Sequence, residues 1–166
     1  MKNIFSLSLL ALALTACSST APTTQAVVSA ADKAVAVVTA PVAMEASPSE
    51  LTTIGKQLAQ GCAAGDKNLC DASAQVVAFL SGSNASSSIA PSFNCAKAGT
   101  PVEHLVCDSK PLSSLDGIMA RQYKVVSKSA SAKQVQKDWL NNTRNACADV
   151  ECLAVEYSKR IVSLSN

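Results

Sequence analysis

The chain has 166 residues, of which 48% are apolar but only 4% aromatic and 16% charged, with a formal charge of +2. A charge this small gives no electrostatic footprint for nucleic acid, and a single histidine beside seven cysteines without a C-x-x-C pair argues against a zinc or thioredoxin-like site. Ala and Val supply much of the apolar content, which points to a small helical module stapled covalently rather than to a large aromatic core.

The chain opens with Lys2, an apolar run from Ile4 to Leu14 and then Leu14-Thr15-Ala16-Cys17. A basic start, an apolar stretch too short to span a bilayer and small residues at the end make a secretory signal peptide over 1–16. The ending L-T-A-C resembles the lipobox of bacterial lipoproteins, which implies acylation of Cys17 as the new N-terminus. Ser18 after it implies sorting to the outer membrane, facing the periplasm or the surface. The segment 17–48 is built from Ala, Val, Thr, Ser and Pro and reads as a lipidated flexible tether with a reach of roughly 30 Å. A weak helix within Gln25 to Val38 is the competing reading.

With Cys17 set aside, Cys62, Cys70, Cys95, Cys107, Cys147 and Cys152 form an even set. In an oxidising compartment an even set reads as three disulfides. More than a dozen pairings are open in principle; the spacing suggests near neighbours, Cys62–Cys70, Cys95–Cys107 and Cys147–Cys152. Loops this short each contribute roughly 2–3 kcal/mol.

Over 49–80 a helical period places Leu51, Ile54, Leu58 and Cys62 on one face. Gly61 and Gly65-Asp66 interrupt it, and Asp66 is suited to cap a second helix whose face carries Leu69, Ser73, Val76 and Leu80. The expectation is an αα-hairpin pinned by Cys62–Cys70. G-C-A-A-G-D-K-N-L-C is similar to cysteine-rich, tetratricopeptide-like repeats. One repeat cannot build a solenoid, which leaves the hairpin as a docking or packing element. The serine-rich segment 81–90 reads as a linker.

The segment 91–166 reads as the principal domain. Thr100-Pro101-Val102-Glu103 is a capping box with Pro at the first helical position, opening a short helix to about Cys107. A second helix from about Pro111 carries Leu112, Leu115, Met119, Gln122 and Val126 on one face, with Gly117 lowering its propensity. Ser127 to Ser131 is a turn. A third helix aligns Val135, Trp139, Asn142 and Ala146, and a fourth aligns Val150, Leu153, Tyr157, Ile161 and Leu164. No stretch alternates as a strand does, so the fold class is all-α.

The succession F-N-C-A-K-A-G-T-P-V-E-H-L-V-C, L-S-S-L-D-G-I-M-A-R-Q-Y, Q-K-D-W-L-N-N-T-R-N-A-C and C-L-A-V-E-Y-S-K-R-I resembles the LprI-type family. Its four cysteines, Asp116, Tyr123, Trp139 and Arg144 fall in place. Gly117 and Gln122 stand where charged residues are common, and the hairpin lies outside the likeness. The resemblance implies a small exported helical protein that inhibits lysozyme-type muramidases.

Trp139 reads as a core anchor, with an exposed binding anchor as the alternative. Arg121 and Arg144 are expected to pair with Asp116 or Asp138, Tyr123 and Tyr157 to be half-buried, and His104, Asp149 and Glu151 to be solvated. No nucleophile–base set, H-E-x-x-H or nucleotide loop is present, so no enzyme, cofactor or metal is expected. The expected partners are the membrane, through the lipid on Cys17, and a lysozyme or other envelope protein. The candidate binding residues are Ser109 and Lys110, next to the Cys107 bridge, and Lys128 in the turn between helices. The alternative function is a structural or adaptor lipoprotein of the envelope.

Overall fold

The structure is a computed structural model that describes residues 47–83 and 89–166. The signal peptide, Cys17 and nearly all of the tether lie outside the described residues. Six α-helices follow in order: α1 (Pro48–Ala63), α2 (Lys67–Leu80), α3 (Pro101–Asp108), α4 (Lys110–Val126), α5 (Ala130–Asn142) and α6 (Val150–Ser165). Short 3-10 turns at Cys95–Lys97 and Arg144–Ala146 complete the fold, with no strand among the described residues.

The helix boundaries are set by local chemistry. Ser47 caps α1 ahead of Pro48 at its first position, so the helix starts inside what reads from sequence as the end of the tether. Asp66 accepts from the amides of Asn68 and Leu69 at the start of α2, after Gly65 has turned the chain at φ 100°. Thr100 and Glu103 form the expected capping box. Ser129 caps α5 and Asp149 caps α6. The cysteines pair as their spacing suggests: Cys62–Cys70, Cys95–Cys107 and Cys147–Cys152.

Helix α6 is the hub. It packs against α1, α2, α3 and α4, while α2 also packs against α4. Leu153, Ala154, Tyr157 and Ile161 of α6 meet Leu112, Leu115 and Ile118 of α4 and Leu51, Leu58 and Val76 of the hairpin in one apolar cluster. The hairpin is therefore not a unit beside the 91–166 domain, as its separation in sequence suggests. Two helices alone cannot cover the stripe Leu51, Ile54 and Leu58, and α6 supplies the missing surface. Lys159 ties the same pair of helices at the rim, contacting Glu50 at 2.7 Å and Glu156 at 2.9 Å.

The 81–90 segment is also held where it is described. Ser83 donates its amide to Ala78 on the hairpin side. On the far side Ser114 donates to the carbonyl of Ile89, and the amide of Ser92 donates to Asp116. Gly117 makes this possible: a Cβ there would overlap the carbonyl oxygen of Ala90 and lie 2.8 Å from Ile89 Cγ2. The glycine that costs α4 propensity is what lets a neighbouring backbone lie against the helix.

Three sequence expectations are corrected. In α5 the inward residues are Gln136, Trp139 and Leu140, whereas Val135 and Asn142 face solvent. The reason is that Gln136 is gripped on both sides, its carbonyl by Arg160 and its amide by the sulfur of Met119. The helix also ends at Asn142, so Ala146 never joins its face. In α2, Leu80 is 46% exposed because the inward stripe runs through Ala72, Val76 and Ala78 instead. Tyr157 is fully buried rather than half-buried.

Candidate functional site

Three places bear on function, and the first is the corner between α3 and α4. Ser109 ends one helix and caps the next, its hydroxyl accepting from the Leu112 amide at 3.5 Å. Ser113 donates back to the Val106 carbonyl at 2.8 Å, and Cys107 is bridged to Cys95. Lys110 follows as the first residue of α4, exposed and directly before Pro111. Its ammonium stands on a backbone restricted by a bridge, a cap and a proline. Below the corner, Glu103 receives the amides of Gly99 and Thr100, which together hold its carboxyl below the usual carboxylate range against the opposing effect of burial.

The second is the tip between α4 and α5, where Lys128 is exposed. Lys110 and Lys128 lie at opposite ends of a helix of 17 residues, about 25 Å apart. They cannot enter the same pair of carboxylates on a partner.

The third is a cleft of about 360 Å³ lined by Phe93, Glu103, Asp116, Tyr123, Leu140 and Arg144 among others. Asp116 is 1% exposed at its base. One of its oxygens accepts from the Tyr157 hydroxyl at 2.9 Å and the other from the Ser92 amide. Burial, with the Asp116 charge added to it, pushes the Tyr157 phenol well above its ordinary range, while Arg144 opposes the rise. The hydroxyl is thus fixed as a donor. Trp139 meets the Tyr157 ring edge-on, with centroids 5.4 Å apart, and Arg160 lies 6.0 Å over the indole.

This cleft overturns the expected ion pairs. Asp116 is held by a phenol and an amide, Arg121 pairs with Asp71 at 3.1 Å, Asp138 accepts from Gln134 and Arg144 donates to Asn145. Trp139 is a half-buried wall of the core. With one Asp116 oxygen held by the Tyr157 hydroxyl and the other by the Ser92 amide, the cluster locks α4, α6 and the 89–92 segment together. Among the described residues no group of three or more His, Cys, Asp or Glu side chains could hold a metal ion. The sequence signal for the lock is an aspartate wedged between the core positions Leu115 and Ile118; its partner 41 residues away carries none.

No family model, curated protein or solved structure matches the chain.

Proposed function

We propose that the chain is an exported binding module of the bacterial envelope, anchored by a lipid on Cys17, that inhibits a lysozyme-type muramidase through the α3–α4 corner. The observation that carries this reading is the exposed Lys110 on a rigid corner, taken with the LprI-type resemblance of the surrounding residues. Muramidases cleave between two carboxyl groups in an open cleft. An ammonium held at a fixed point offers three donors to such a cleft with little conformational entropy left to lose on docking. The Ser109 hydroxyl accepts within the protein, and its proton remains available to a carboxylate beside Lys110.

From Pro91 onward there are ten Lys and Arg against seven Asp and Glu. Inhibition of a cationic lysozyme would therefore depend on local fit rather than on long-range attraction.

The test is residual lysozyme activity against increasing purified protein, with intact mass of the membrane-extracted chain reporting acylation at Cys17. Lys110→Glu is expected to weaken inhibition at least about tenfold with an unchanged circular dichroism spectrum, since it alters an exposed side chain. An unchanged inhibition curve would move the contact to Lys128. Absence of inhibition by the unaltered protein would leave an envelope adaptor as the function.

A further inference from the structure

Residues 117–137 contain Arg121, Lys124, Lys128, Lys133 and Lys137 and not one carboxylate. Arg121 is engaged by Asp71. The four lysines are exposed, and none forms an ion pair among the described residues. Lys124, Lys128 and Lys133 all sit at the connection between α4 and α5. Apolar side chains are left bare at the same place: Val125 is 72% exposed, Val126 38% and Val135 52%. A shallow groove of about 290 Å³ runs between Val126, Ala132, Val135 and Leu164.

We propose that the α4–α5 tip is a docking surface for an anionic lipid bilayer. Charge complementarity selects the occupant. A two-fold pairing of the tip with the same surface of a second copy would set lysines against lysines. A protein partner of matching charge would be expected to find free aromatic or arginine anchors seated in tight pockets. Arg160, which lines the groove, is already engaged by the Gln136 carbonyl and the Trp139 ring, and the tip otherwise offers valines, an alanine and, beside the shallow groove, unpaired lysines. Lysine attraction to an anionic lipid surface adds residue by residue without requiring fixed geometry. Small apolar groups beside such lysines enter the headgroup boundary, and the hydroxyls of Ser127, Ser129 and Ser131 suit its polar level. The Lys110 corner, at the other end of α4, is left free for a protein partner.

The surface belongs to the folded helices and does not depend on a lipid at Cys17. The experiment therefore uses the full chain carrying Cys17→Ser, sedimented with phosphatidylcholine vesicles with and without phosphatidylglycerol. The ratio of the two affinities cancels the apolar part of the leader's contribution, and the part due to Lys2 is common to every variant compared. A preference for anionic vesicles is expected that collapses in about 0.5 M salt. Each lysine at the surface contributes roughly fivefold, so Lys124→Gln with Lys128→Gln should reduce the preference roughly 25-fold. Lys56→Gln, an exposed change on α1, should leave it unaltered. A preference that the double substitution leaves undiminished overturns the proposal. Indifference to vesicle charge overturns it as well, and makes an acidic protein the occupant to seek at the tip.

Discussion

Replacing Tyr157 by Phe takes a single oxygen from the centre of the protein and keeps the ring against Trp139. What it leaves behind is Asp116, 1% exposed, with one carboxylate oxygen facing the space where a donor had been. A hydrogen bond to a charged acceptor contributes about 1.5–3 kcal/mol, and a stranded buried acceptor retains its desolvation cost. No transfer term offsets the loss, because the apolar area is nearly unchanged. The expected destabilisation is about 2–3 kcal/mol, which for a folded region of this size lowers the melting temperature by roughly 8–12 °C. Urea titration followed by circular dichroism measures it, at fixed pH and with the disulfides intact. The companion variant Asp116→Ala, which removes the acceptor, and the double variant close a cycle whose coupling should be about 1–2 kcal/mol. A Tyr157→Phe change below about 0.5 kcal/mol, or additive single effects, would refute the idea that the phenol and the carboxylate hold each other in place.

At Gly117, alanine should destabilise by about 1–3 kcal/mol despite its better helix propensity, since its methyl group collides with the Ala90 carbonyl; thermal melts of the two proteins decide this, and a gain in stability would mean the 89–92 segment can move away freely. For Glu103 the pH dependence has a definite sign. Its folded-state carboxyl is held below the unfolded value, so its contribution is present above the usual carboxylate range and fades as the pH falls through the folded value. Glu103→Gln should then be less stable than the parent near neutrality, with the gap narrowing toward pH 3 in urea titrations; a gap independent of pH would mean the carboxylate charge plays no part in the cap.

Local signals carried the helices. Thr100 and Asp66 sit where side-chain oxygens meet free amides, and such bonds form within three residues of the cap whatever the rest of the chain does. The α6 stripe was equally legible, because Leu153, Tyr157 and Ile161 face a core on their own period. The inward face of α5 was not. Val135 outranks Gln136 in hydropathy, yet Gln136 turns inward through bonds to Arg160 and Met119 on two other helices. The unity of the hairpin with the rest was also hidden, since nothing within 49–80 announces that α6 covers it. Of the candidate binding residues, the exposure of Lys110 and Lys128 followed from their place at helix ends. The Asp116–Tyr157 lock rests on a contact that no local pattern encodes.

The covalent pairing has a consequence for how the chain is made. Each bridge joins a cysteine to the next one along, across 8, 12 and 5 positions. Among these six cysteines, a polypeptide emerging from its N-terminus brings each thiol's partner into reach before any later one. Oxidation in that order would tie off local turns while the chain is still incomplete. The core has the opposite dependence, because α6, which touches α1, α2, α3 and α4, follows all of them in the chain. Without α6 the stapled turns have no common interior to settle into.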